Sequence, residues 1–169
     1  MGEVLFDACR MRRRKDGKMK TRGFECVSTW QGRGIHLPQR KTAASAGYDI
    51  EAGEDAVLPP GELTMVPTGV KAFMQPDEVL MIHIRSSMAI KHQLVLMNSV
   101  GVVDSDYYNN EDNEGHIFIA FWNRGTKPFV IQKGERIAQG IFQKYLTADE
   151  DVAGQGAVRQ GGFGSTGKA

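Results

Sequence analysis

At 169 residues, with 41% hydrophobic and 24% charged side chains, the chain has the size and balance of one globular domain able to bury its own core. No apolar run approaches the roughly 20 residues that span a bilayer, which excludes a membrane-helix protein. The two cysteines, Cys9 and Cys26, show no Cys-x-x-Cys spacing, so neither a zinc knuckle nor a disulfide framework is expected, and a reducing cytoplasmic setting fits.

The net charge of +1 hides an uneven distribution. Residues 1–22 carry eight Lys or Arg against three acids, and the remainder is acidic. A basic arm can hold nucleic-acid phosphates. Nothing downstream supports that role, so it reads as an extension, or as sequence upstream of a start at Met19, and no direct nucleic-acid partner is expected. The expected organisation is an extension over 1–22, a β-domain over 23–146 and a flexible C-terminal arm over 147–169.

In chain order, "AGYDIEA" (46–52) places Asp49 in the first strand after the N-terminal segment. Strands follow at "EVLMIHIR" (78–85), "QLVLMNSVGVV" (93–103), "GHIFIAFWN" (115–123), "PFVIQ" (128–132) and "RIAQGIFQKY" (136–145). Between them "LPPGE", "NRGTKP" and "QKGE" carry the Pro and Gly that turns require. The pattern predicts an all-β sandwich or barrel. In 115–123, Ile117, Ile119 and Phe121 share one face and His116, Phe118, Ala120 and Trp122 the other. With both faces partly apolar, packing inside an oligomer is expected. The one helical candidate is "SSMAIKHQ" (86–93), with Ser86 or Ser87 able to cap it and free N–H groups at its start offering an anion site. After residue 146 core-forming side chains almost disappear.

Familiar catalysts are missing: there is no H-E-x-x-H, no G-x-S-x-G and no H-x-E with P-C-x-x-C, and the four histidines lack ligand spacing. The acid-rich stretch "GVVDSDYYNNEDNEGH" (101–116) lacks EF-hand spacing, and its 109–115 portion reads as a solvated loop. Asp104 follows the apolar run 100–103 and can serve as a general base toward water. Tyr107 offers a flat face for a sugar or base. "IRSSMA" (84–89) joins Arg85 to the serine pair as a phosphate clamp. "GERIAQGIF" (134–142) supplies Arg136 and Gln139, ambiguous alone. "RQGGFGSTG" (159–167) supplies Arg159, an aromatic and two hydroxyls. "GFGSTGK" also spells a P-loop, but lacks the flanking strand and helix; that match is coincidental.

Taken together, "AGYDIEA", "RSSMA", "NSVGVVDSDY", "GERIAQ" and "RQGGFGSTG" resemble, in order, the five motifs of the trimeric all-β dUTP diphosphatases (dUTPases), from about Gly23 to Thr166. There are departures. Ser87 and Met88 stand where the family pattern has Gly and Leu, "YNNEDNEGH" exceeds the usual short turn, and one residue fewer separates Arg159 from the glycine pair.

The resemblance implies a jelly-roll-like fold with one short helix, a homotrimer with shared active sites, and Mg²⁺-dependent hydrolysis of dUTP to dUMP and pyrophosphate. That reaction limits uracil in DNA and supplies dUMP for thymidylate synthesis. Asp104 would activate the water that attacks the α-phosphorus. Asn98 and the backbone near Val102 and Val103 would pair with uracil, and Tyr107 would lie against the deoxyribose. Arg85, Ser86, the Ser87 amide and Gln139 would hold phosphates, with Asp49 reaching Mg²⁺ through water. Arg159 would neutralise the leaving group, Phe163 would stack on uracil, and Gly164, Ser165 and Thr166 would close over the γ-phosphate. The glycine-rich arm would cross to a neighbouring site. Two other readings remain: dCTP deaminase of the same fold, and a dUTP-responsive regulatory binding protein whose partner is unknown.

Overall fold

A computed structural model describes residue 17 and residues 19–152. Eleven strands and one α-helix carry the fold among them: β1 (Gly23–Cys26), β2 (Tyr48–Glu51), β3 (Ala56–Leu58), β4 (Leu63–Pro67), β5 (Val70–Phe73), β6 (Glu78–Ile84), α1 (Ser86–His92), β7 (Leu94–Leu96), β8 (Gly101–Asp104), β9 (Phe118–Asn123), β10 (Phe129–Ile131) and β11 (Arg136–Lys144). They pair antiparallel in four sheets, ordered β2-β11-β6-β8, β4-β9-β7, β1-β5 and β3-β10. This is the expected all-β, jelly-roll-like architecture with one short helix.

Ile50, Leu58, Leu80, Leu94, Phe121, Ile131 and Ile137 are wholly buried in a single core shared by the sheets. β9 shows why the chain folds this way. Ile119 and Phe121 alternate into that core with Ile117 just before them, while Phe118, Ala120 and Trp122 on the other face stay half-buried. Leu63 and Met65 of β4 lie opposite Trp122 and Ala120, and both are exposed. Val57 and Val130 pair across β3 and β10, also exposed. Apolar side chains on both of these sheets are therefore open on a single chain.

Three expectations are corrected. The 93–103 segment is two strands, because the chain turns at 97–100, with Ser99 at φ 61°, and passes from the β9 sheet to the β6 sheet. Asp49 lies in the second strand of the domain, since "GFEC" forms β1 against β5. α1 starts after Arg85 in extended conformation, and neither serine forms a cap bond at its start. The helix is held instead by Met88, which is buried, and by its end: Gln93 adopts φ 56° and its N–H reaches Ala89 O at 3.1 Å. Arg22, from the basic N-terminal stretch, is paired with Glu78, its Nε donating to Oε2 at 2.9 Å.

Candidate active site

Two groups of polar residues lie along β6, one at its C-terminal end and one on the β8 hairpin, whose Asp104 lies beside the N-terminal end of β6. At its C-terminal end, Gln139 of β11 stands in register between Asp49 of β2 and His83 of β6. Arg85 follows β6 directly, and Arg136 opens β11. Asp49 therefore receives two guanidinium groups, Arg85 Nε at 3.4 Å from Oδ1 and Arg136 Nη1 at 3.0 Å from Oδ2, while Arg85 Nη1 also donates to the Arg136 carbonyl at 3.3 Å. Two cations on one carboxylate leave an excess of positive charge with the arginines partly open to solvent, an arrangement suited to a polyanion. Gly47 leaves room here: a Cβ would overlap the Gln139 carboxamide oxygen and oblige that side chain to move. Ser86 is exposed and Ser87 half-buried beside this group. A groove lined by His36, Gln39, Lys41, Asp49 and Glu51 adjoins it.

The other group begins with the turn after β7. Ser99 N–H bonds to Leu96 O at 3.0 Å and Val100 N–H to Asn98 O at 2.6 Å, leaving the Asn98 side chain exposed. Gly101 keeps the turn against β6, since a Cβ there would sit 3.1 Å from Ile82 Cβ. Val102 points to solvent and Val103 into the core. Asp104, half-buried, ends β8 opposite Val79. A single 3-10 turn, Ser105–Tyr107, brings Tyr107 beneath it. Tyr107 is 9% exposed; its hydroxyl donates to His116 O and accepts from Asn113 Nδ2, both at 2.8 Å.

Residues 109–115 are solvated only in part: Asn109, Glu111 and Asp112 are exposed, as expected of a charged loop, while Asn110 and Gly115 are buried and Asn113 and Glu114 half-buried. Glu114 takes Lys71 Nζ at 3.0 Å and bonds to the hydroxyl and N–H of Ser28, and the Ser28 bond and Lys71 hold its carboxyl below the usual range. His116 accepts the Gly69 N–H on Nε2 at 2.9 Å, and burial lowers its pKa to about 4.

Val79, opposite Asp104, and Arg85 are separated by six residues of extended strand, about 20 Å. Within one chain, then, the fold places Asn98, Val102, Val103, Asp104 and Tyr107 along the β8 hairpin, with Asp104 at its far end and the Asn98 turn beside Ile82, and Asp49, Arg85, Ser86, Ser87 and Gln139 at the C-terminal end of β6. Arg159, Phe163, Gly164, Ser165 and Thr166 lie outside the described residues. Arg136 joins the second region as a residue that sequence reasoning left ambiguous; its signal was its place in "GERIAQ" three positions before Gln139. Asn110 and Asn113, which hold Tyr107, carried no signal beyond their Asn-rich loop.

Among the described residues, no three His, Cys, Asp or Glu side chains converge as a metal site, and no helix is long and apolar enough to cross a membrane.

A family model described as dUTPase matches residues 33–167. The deoxyuridine 5'-triphosphate nucleotidohydrolase of Lactococcus lactis subsp. lactis is 54% identical over 149 residues, covering 88% of this chain and 99% of its own. The crystal structure of dUTPase from Streptococcus mutans superposes with a TM-score of 0.72 at 47% identity, covering 75% of this chain and 98% of that one. A variant dUTPase from phage phi11 of S. aureus, described with a structural Mg(II) ion, shares the fold at 20% identity and TM-score 0.64, covering 79% of this chain and 97% of that one. The extent of these matches leaves one conclusion: the chain belongs to the dUTPase family, and the reaction it carries out is the hydrolysis of dUTP.

Proposed function

We propose that the working enzyme is a homotrimer in which the Asp104 hairpin of one chain faces the Arg85 cluster of another, with dUTP lying between them. The separation of about 20 Å between Asp104 and Arg85 along β6 carries the reading, because one chain could not bring its aspartate and its phosphate clamp to the same triphosphate. Exposed apolar side chains on two sheets, Leu63 and Met65 on one and Val57 and Val130 on the other, support it, since such surfaces call for a partner.

In this arrangement the turn after β7 receives the base. Asn98 and the backbone around Val102 and Val103 pair with the uracil edge, so that cytosine would set like polar groups against each other. Tyr107 lies against the deoxyribose. The carboxylate of Asp104 takes a proton from water as its oxygen bonds to the α-phosphorus; the bond to the pyrophosphate oxygen breaks, and dUMP and pyrophosphate leave. Arg85, Ser86, the Ser87 amide and Gln139 hold the phosphates, and Arg136 stands with them. Asp49 orients both arginines while remaining close to the triphosphate.

The donor set fits Mg²⁺ carried by phosphate oxygens and water. Asp49 is already shared by two guanidinium groups, so it would contact the ion through water. When bound, the ion supplies neutralisation of charge on the triphosphate. The arm over 147–169 closes the site, with Arg159 at the leaving group, Phe163 on the uracil and Gly164, Ser165 and Thr166 on the γ-phosphate; glycines let its backbone approach the anion. Sparse cysteine use fits a cytoplasmic enzyme.

Pyrophosphate release from dUTP, dCTP, dTTP and UTP, each with and without magnesium, tests this. The expected result is rapid, magnesium-dependent release from dUTP alone. Ammonia from dCTP would instead point to deaminase chemistry.

A further inference from the structure

The loop over 109–115 grips Tyr107 at both ends. On the backbone side, Asn110 Nδ2 donates to the Tyr107 carbonyl at 2.8 Å. On the side-chain side, Asn113 Nδ2 donates to the tyrosine hydroxyl at 2.8 Å, and that hydroxyl donates onward to His116 O. The loop is itself rigidly tied. Asn110 Oδ1 accepts the N–H groups of Asp112 and Asn113, both at 3.0 Å, and Asn113 Oδ1 accepts from Asn110 Nδ2 at 2.9 Å and Gly115 N at 3.0 Å. Gly115, at φ 81°, lies so close that a Cβ would stand 2.6 Å from the Tyr107 carbonyl oxygen. Glu114, bonded to Lys71 and Ser28, anchors the outer side to β5 and the segment after β1. A loop serving only to connect strands has no need to satisfy one aromatic ring at both its carbonyl and its hydroxyl.

Given that Tyr107 lies against the sugar as proposed above, we infer that the 109–115 loop is a brace for this ring and that Asn113 is a positioning residue for discrimination between deoxyribose and ribose. Exclusion of a 2′-hydroxyl depends on the ring standing still within a fraction of an ångström, because a ring free to tilt makes room for one more oxygen. Asn113 removes that freedom through the hydroxyl, and His116 O opposes it from the other side. Asn113 touches neither substrate nor reacting atoms, so its effect falls on the choice of sugar more than on turnover.

Asn113→Asp isolates the brace. It keeps an oxygen to accept from Gly115 and Asn110, which preserves the loop. It also puts a carboxylate oxygen in place of the amide donor, which draws the Tyr107 proton away from His116 O and removes one of the two opposed holds on the ring. The ratio of kcat/KM for dUTP to that for UTP is expected to fall about tenfold, with kcat for dUTP changed by less than about threefold. Tyr107→Phe, which keeps the ring and loses the hydroxyl, is expected to lower the ratio similarly and to remain folded. The double variant should then show no further fall, since both changes act through the tyrosine hydroxyl. A folded Asn113→Asp enzyme with an unaltered ratio, or a fully additive double variant, overturns the role of Asn113. Tyr107→Ala separates the two levels: if it leaves the ratio unchanged, the placing of Tyr107 on the sugar fails, and the brace with it. If Tyr107→Ala lowers the ratio while Asn113→Asp and Tyr107→Phe do not, only the brace fails.

Discussion

The two ends of β6 are made in different ways. At the Arg85 end, three adjacent strands bring charged side chains into register, and the group is held by ion pairs: Asp49 with Arg85 and Arg136, and Gln139 over Gly47. On the Asp104 hairpin, a turn and a 3-10 turn present backbone and neutral groups, and Tyr107 is fixed by hydrogen bonds from asparagines and to the carbonyl of the buried His116. Charge clusters suit a polyphosphate, whose shape varies little and whose charge dominates. Rigid hydrogen-bonded backbone suits a base and sugar, where a single misplaced donor or methyl must be refused. A division of labour of this kind explains why neither end is complete alone.

Loss of chemistry from the hairpin end should give the largest effect. Asp104→Asn is expected to lower kcat about a thousandfold while dUTP still binds, which calorimetry alongside pyrophosphate release would check. If turnover survives, the water is activated elsewhere. Arg85→Ala at the opposite end should cost about a hundredfold in kcat/KM, with uracil discrimination intact; a change in base preference instead would blur the division. Gly47→Ala sharpens the comparison further. Its Cβ displaces the Gln139 carboxamide, so about a tenfold loss in kcat/KM for dUTP is expected without loss of the fold, read by thermal unfolding beside steady-state rates.

Acid distinguishes the ends through stability. His116 is neutral in the fold with its pKa lowered to about 4 from an ordinary 6.5, so the unfolded chain takes up the proton first as pH falls. The stability present above pH 6.5 is therefore lost progressively between 6.5 and 4, by on the order of 3 kcal/mol. Glu78, lowered by its bond to Arg22, and Glu114, lowered by Ser28 and Lys71, add losses of the same sign below the ordinary carboxylate value. Urea unfolding at pH 7 and pH 5 checks this, and His116→Gln should flatten the slope in that window.

Much of this architecture was legible in the residues because it is local. The alternation of Ile117, Ile119 and Phe121 marked β9 and its core face, and Gly61 and Gly134, both at positive φ, sit in turns read from "LPPGE" and "QKGE". β5 went unread because Lys71 interrupts "VKAF"; it is buried all the same, as Asn109 and Glu114 satisfy its ammonium group from about 40 residues away, a distance no local pattern reports. The 93–103 run looked continuous because Ser99 adopts positive φ without a glycine to announce it. At the site, motif order supplied Asp104, Arg85 and Gln139, whereas the ion pairs among Asp49, Arg85 and Arg136 join residues 36 to 87 positions apart and emerge only from strand register.

Mixing two disabled chains tests the shared site most directly. Asp104→Asn and Arg85→Ala enzymes, each near background alone, are unfolded together in equal amounts, refolded, and assayed for pyrophosphate release from dUTP. If each site takes its aspartate from one chain and its arginine from another, about a quarter of all sites in the refolded population regain both, and activity returns to that fraction of the wild type. Activity that stays at the level of the separate variants would mean that one chain supplies both groups, and would contradict the account.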